Sequence, residues 1–309
     1  MTYRECAALL KGADNILIVT HLRPDGDTLG SAAALCSALR RAGKSARVFD
    51  NPEITEKYRG YVAEFIEGSF EPEYTVAVDV AEERMLPQGF SGHIDLCIDH
   101  HPANPHYADE LLLRADKASC GEAVMQVIKE LCGFITAQEA SLLYMAVSTD
   151  CGGFRYANVT AETFAAASEL AAAGASVQEL NFKLFREASI ARAHLEGEIS
   201  AGLKLYYGGK LVIATVTLDM MQRCGATEND CDDIAGIPGR VEGCVVSVVI
   251  RELEQGKCKA SLRSHPGFDC SAVAARFGGG GHKMASGCTA AKSPDEFRNA
   301  LVEAIGEVL

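Results

Sequence analysis

No stretch of this 309-residue chain approaches the ~20 consecutive apolar residues of a membrane-spanning helix. The N-terminal MTYRECAALLKGADN also lacks the basic-then-apolar order of a secretory signal. These two absences predict a cytoplasmic protein with no membrane partner. Paired cysteine motifs are missing too: none of the twelve cysteines forms a CxxC, which argues against a zinc ribbon or a disulfide framework. Cys6, Cys36, Cys97, Cys120, Cys132 and Cys151 are scattered, several of them in apolar segments, and are expected buried and reduced. Basic residues are scarce, 29 against 42 acidic ones, for a net charge of −13. That balance argues against a broad basic surface for long nucleic acid but leaves room for a short nucleotide held by cations and a few arginines. Repeats and low-complexity segments are absent. A homodimer is compatible with these features.

What is present favours two domains. Residues 3–12 read as an amphipathic helix, and 16–20 as a buried strand leading through a turn into an alanine-rich helix that ends near 42. Further strands are expected at 46–49, 75–78 and 94–98, and helices at 120–132, 137–148, 160–173 and 177–185; residues 59–66 are ambiguous. Strands alternating with helices, with polar residues at strand ends, predict an α/β fold with a doubly wound, mainly parallel sheet. Beyond a connecting helix at 189–203, the β-rich stretches 206–217, 244–251 and 258–263 and a final helix at 294–308 predict a second, smaller mixed α/β domain. The expected boundaries are 1–186 for the first domain, 187–205 for a helical linker and 206–309 for the second domain.

Chemistry-bearing residues cluster where strands end. His21, Asp25 and Asp27 follow the first strand, Asp79 ends another, and Asp99, His100 and His101 follow a third; Asp150 ends a helix. In open α/β sheets such positions meet at the carboxyl edge. Carboxylates with a minority of imidazoles suit Mn²⁺, Mg²⁺ or a related ion. Taken alone, Asp25 and Asp27 read equally well as helix caps. In the second half, Gly278–Gly281 form a turn before His282 whose backbone N–H groups could approach an anion, or simply a flexible connection. Arg155 and Arg263 could clamp a phosphate or stay solvated; Phe154 or Tyr156 could stack on a base or belong to the core. His93, His106 and His194 read as surface histidines.

HLRPDGD at 21–27, VD at 78–79, DHH at 99–101 and STD at 148–150 resemble motifs I to IV of the DHH phosphoesterase superfamily. RFGGGGHKMASG at 276–287 resembles the glycine-rich motif of the DHH-associated C-terminal domain. Length fits the nanoRNase and pAp phosphatase-like subgroup. The resemblance implies a metal-dependent phosphoesterase acting on short oligoribonucleotides (nanoRNA, pApA) or on 3′-phosphoadenosine 5′-phosphate (pAp). It implies two Mn²⁺ ions, replaceable by Mg²⁺ or Co²⁺. His21, Asp25 and Asp79 would hold one; Asp27, Asp79, His100 and Asp150 the other, with Asp79 bridging. Asp99 would orient a histidine of its own motif, and His101 would serve as hydrogen-bond donor or general acid. Arg155, Arg263, Gly279, Gly280, Gly281 and His282 would bind substrate. An inorganic pyrophosphatase or polyphosphatase would use the same ligands but fits the acidic balance poorly. A non-catalytic nucleotide-binding protein would have lost a ligand, and none is missing. Val80-Ala81 after Asp79 is the one departure, in place of a small polar residue.

Overall fold

The computed structural model describes residues 1–231, 233–254 and 256–309. The chain divides into two compact units, Met1–Glu187 and Ala188–Leu309. The first runs α1 (Tyr3–Gly12), β1 (Ile16–Val19), α2 (Gly26–Arg41), β2 (Ala46–Val48), α3 (Glu56–Ile66), β3 (Tyr74–Val78), β4 (Leu96–Asp99), β5 (Glu110–Leu113), α4 (Cys120–Cys132), α5 (Ala137–Asp150), α6 (Ala161–Ala172) and α7 (Val177–Phe185). Its five strands are all parallel, in the order β2-β1-β3-β4-β5. The central strands β1, β3 and β4 are short apolar runs because both their faces are covered. Val76, Val78, Leu96 and Ile98 enter the main core with α1, α2, α4 and α5, whereas Ala77 and Cys97 alternate to a smaller cluster with Val80 and Ile94. Strand order reverses between β1 and β3, the switch point at which open α/β sheets form sites.

Helix α2 is the pivot of this unit. Its alanines and Gly30 let α5 approach closely: a Cβ on Gly30 would lie 2.4 Å from the Leu142 carbonyl oxygen. At the far end of α2, Arg41 grips the buried Glu139 of α5 through Nε and Nη2, at 3.2 and 2.9 Å.

The second unit runs α8 (Ile190–Ala201), β6 (Lys204–Tyr206), β7 (Leu211–Val216), α9 (Leu218–Cys224), β8 (Val246–Glu254), β9 (Lys257–Ser264), α10 (Cys270–Ala275), β10 (Gly280–His282), β11 (Ala285–Ala290) and α11 (Pro294–Gly306). Its sheet, ordered β10-β11-β9-β8-β7-β6, is antiparallel except for β7–β8. One face packs with α10 and α11 around Phe297. Leu195 and Ile199 of α8 pack on Ala214, Val216 and Val249 of the other face. The stretch 187–205, expected as a helical linker, carries α8, whose Leu195 and Ile199, apolar and one turn apart, pack into this unit's own core. The glycine run, expected as a turn, is a turn followed by the edge strand β10. All twelve cysteines are free of disulfides, and all but Cys132 are buried. Among the described residues no helix is long and apolar enough to cross a membrane.

Candidate metal centre

Four segments of the first unit bring the acidic motifs together at the carboxyl edge of the sheet. Beyond β1 come His21 and Asp25. The Asp25 Oδ1 caps α2, accepting from the Asp27 and Thr28 amides at 2.9 and 3.2 Å, and lies 3.6 Å from His21 Nε2. Asp25 thus caps α2 while its carboxylate also stands within reach of His21 and Asp79. Thr28 ties α2 to the end of β3 by donating to the Val78 carbonyl at 2.7 Å. Asp79 follows in a left-handed conformation, φ 60°, sparsely populated by non-glycine residues and a recurring feature of functional sites. Its two oxygens face different partners. Oδ2 is 3.8 Å from His21 Nε2, while Oδ1 is 3.4 Å from His100 Nε2 and 3.6 Å from His101 Nδ1. His100 Nε2 is also 3.9 Å from Asp27 Oδ2 and 3.8 Å from Asp150 Oδ2.

Most of these gaps are too long for hydrogen bonds, yet they match the spacing of ligand atoms around one ion, where bonds of about 2.1 Å set neighbours about 3–4 Å apart. Ligand atoms of His21, Asp25 and Asp79 lie within 4.8 Å of one another, as do those of Asp27, His100 and Asp150, and those of Asp79, His100 and His101. Asp79 Oδ1 is buried without a hydrogen-bond partner. Every ion-pair partner of Asp25, Asp27, Asp79, Asp99 and Asp150 among the described residues is a histidine. Burial, and then the charges of Asp27, Asp25, Asp150 and Asp99, hold the Asp79 carboxyl well above its ordinary range. Burial and the charges of Asp150 and Asp25 do the same to Asp27, and burial raises Asp150. Buried carboxylates crowded like this call for cations, and oxygen donors with a few imidazoles fit hard divalent ions.

Neighbouring groups fix each ligand's aim. His21 Nδ1 donates to the Leu22 carbonyl at 2.7 Å and His100 Nδ1 to the Lys117 carbonyl at 3.2 Å, leaving each Nε2 as the free acceptor. Asp27 accepts from the Cys120 and Gly121 amides at the start of α4, at 2.7 and 2.9 Å, and from Ser31 Oγ at 3.1 Å. Asp99 is fully buried and accepts from His101 Nδ1 at 2.8 Å and Asn104 Nδ2 at 2.7 Å. Burial pushes its carboxyl up, but the bonds from His101 and Asn104 outweigh this and hold it below the usual range. The sequence reading missed Ser31, Asn104 and the α4 amides; only the DHH-to-Asn104 spacing could have hinted at one of them.

The remaining expected residues fall elsewhere. Arg155 is exposed, five residues after Asp150, on a turn where Gly152, Gly153 and Phe154 are all left-handed (φ 55°, 66°, 64°). Phe154 is half-buried against Tyr144 and stacks on Phe164. In the second unit, strand register aligns Arg263 with Ala285 and Ala285 with His282. Arg263 and His282 therefore share the face opposite the Phe297 core, two strands or about 10 Å apart. Gly279 and Gly281 have packing reasons to be glycine: a Cβ would lie 2.2 Å from the Gly287 carbonyl oxygen and 2.6 Å from that of Ala285, respectively. A Cβ at Gly280 would meet nothing. His93, His106 and His194 are exposed.

A parallel α/β architecture with an acidic, histidine-containing cradle at the switch point defines a candidate divalent-cation site. The profile of the DHH family, N-terminal domain, matches residues 15–147, and that of the DHHA1 domain matches residues 208–309. A Thermus thermophilus protein named bifunctional oligoribonuclease and PAP phosphatase NrnA is 35% identical over 99% of this chain and 94% of its own length. The Bacillus subtilis protein of that name is 28% identical over 89% of each chain. The crystal structure of an exopolyphosphatase-related protein from Bacteroides fragilis superposes with a TM-score of 0.85 at 24% identity, covering 99% of this chain and 96% of that one. The chain belongs to the DHH family.

Proposed function

We propose that this protein hydrolyses phosphoester bonds of short oligoribonucleotides, including pApA, and of 3′-phosphoadenosine 5′-phosphate, using two Mn²⁺ ions. The observation that carries the reading is Asp79, which turns one oxygen toward His21 and the other toward His100. In this reading His21, Asp25 and Asp79 hold one ion, and Asp27, Asp79, His100 and Asp150 the other. The chemistry such ions supply is activation of a water and neutralisation of phosphate oxygens. Asp99 engages His101 Nδ1, so a proton on His101 Nε2 is the one available to the leaving oxygen. Arg155 neutralises a substrate phosphate from the first unit. In the second, Arg263, His282 and the Gly279–Gly281 backbone receive the nucleotide. Substrates named for the Thermus and Bacillus relatives support this choice.

Purified protein with Mn²⁺ should release mononucleotides from 5′-labelled di- to pentanucleotide RNA and pApA, and inorganic phosphate from pAp. Hydrolysis of pyrophosphate in preference to all of these would overturn the substrate assignment. Tight binding of the nucleotides with no product would instead mark a non-catalytic protein. Asp79→Ala should cut turnover by on the order of 10³-fold or more, since several kcal/mol of charge stabilisation go with the ions.

A further inference from the structure

The loop that carries His21 is held from a place outside all the acidic motifs. Asn51, just past β2, is fully buried. Its Nδ2 donates to the His21 carbonyl at 2.9 Å and to Thr20 Oγ1 at 3.1 Å, and its Oδ1 accepts from the Glu53 amide at 3.0 Å. Glu53 accepts in turn from the Arg23 amide at 3.2 Å, and its other oxygen is 3.8 Å from Arg23 Nε. Between them, Leu22 donates its amide to the Met85 carbonyl at 2.6 Å and receives His21 Nδ1 on its own carbonyl at 2.7 Å. Arg23 is left-handed, φ 52°, a conformation unfavourable for a non-glycine residue and kept only where neighbours over-determine it. The direction of the His21 ring is therefore inherited from the backbone of residues 21–23, and that backbone is bracketed by Asn51 and Glu53.

We infer that Asn51 is a positioning residue for one half of the metal centre. It sets the aim of His21 Nε2, and with it the cation position formed by His21, Asp25 and Asp79; it bonds to none of Asp27, Asp79, His100 and Asp150, the groups of the other position. The partners of that second group lie on other elements: Ser31 in α2, the first amides of α4 and the Lys117 carbonyl. The inference rests on the two-ion reading above and adds a residue to which no motif assigns a role.

The test is Mn²⁺ titration of the metal-stripped full-length protein, with free Mn²⁺ followed by electron paramagnetic resonance. Wild type should bind two ions. Asn51→Asp keeps the shape and the acceptor for Glu53 but removes the donor to the His21 carbonyl. It should weaken one ion by about 10–100-fold, the usual effect of losing a group that orients a ligand, and leave the other within twofold. His21→Ala should lose the same ion. Glu53→Ala, at a partly exposed position, should weaken that ion by roughly 10-fold, so the question is answered even where Asn51→Asp does not fold. Loss of both ions together, or of neither, in variants that melt like wild type overturns the role of Asn51; so does an unchanged Glu53→Ala beside an unfolded Asn51→Asp. A wild-type protein that binds fewer than two ions overturns the two-ion reading itself, and this inference with it.

Discussion

Asp79 occupies a left-handed backbone position and keeps a buried oxygen with no hydrogen-bond partner. Its carboxyl stands well above the ordinary carboxylate range, first through burial and then through the charges around it. A carboxyl raised in the folded state contributes its stability fully below its unfolded pKa and loses it as pH rises through the folded value. In metal-stripped protein, Asp79→Asn cannot ionise and should therefore melt progressively higher than wild type as pH is raised from about 4 to 8. A difference that stays flat, or that grows on acidification, would contradict this electrostatic account. Saturating Mn²⁺ should reverse the order, because wild type then gains binding energy that the variant has lost. Asp25 carries a second lesson at this scale. Capping a helix and facing a cation are compatible uses of one carboxylate, since both amides fall on Oδ1 and the lone pairs of Oδ2 are left for a cation.

At the scale of elements, the centre depends on how α2 seats against α5, since Asp27 lies at the start of one and Asp150 at the end of the other. Gly30→Ala would drive a methyl into the Leu142 carbonyl. Overpacking of this kind costs about 1–3 kcal/mol. A lower thermal midpoint and weaker Mn²⁺ binding through Asp27 and Asp150 should follow, read by melting curves and metal titration. Gly60→Ala is the contrast: Gly60 is exposed inside α3, and nothing lies within 4 Å of its added Cβ. That substitution should stabilise by about 0.5–1 kcal/mol and leave activity unchanged. Long periodic elements such as α2, α4 and α5 were legible in the sequence because their apolar spacing repeats over three or more turns. Strand β5, only four residues long and with a single fully buried side chain, Leu112, carries no such pattern. Strand β10 is built of two glycines and a histidine, and its identity comes entirely from pairing with β11.

For the molecule as a whole, divalent ions should act as a stabilising ligand. At a hundredfold excess over Kd, one bound ion contributes about 2.7 kcal/mol. Calorimetry of the metal-stripped chain should show a midpoint that rises by several degrees with added Mn²⁺, and Asp79→Ala should remove most of that rise. Chelation should abolish hydrolysis reversibly. No change in midpoint with Mn²⁺ at any concentration would remove the cation from its proposed place in the first unit.

The amino-acid sequence alone determined the carboxylates and imidazoles available, their attachment to the ends of elements, and the alternation of strand and helix that builds a parallel sheet. These are local properties, set by residue chemistry and by apolar spacing over a few turns or a few alternating positions. Tertiary structure alone decided which carboxylates face the same imidazole, that Asp79 divides its two oxygens between His21 and His100, and that buried amides at Asn51 and Asn104 hold the ligand loops. Those facts are separations of a few ångströms between residues up to 123 positions apart, Asp27 and Asp150 among them. Strand order and the close seating of α2 on α5 set such distances, and no stretch of sequence contains them.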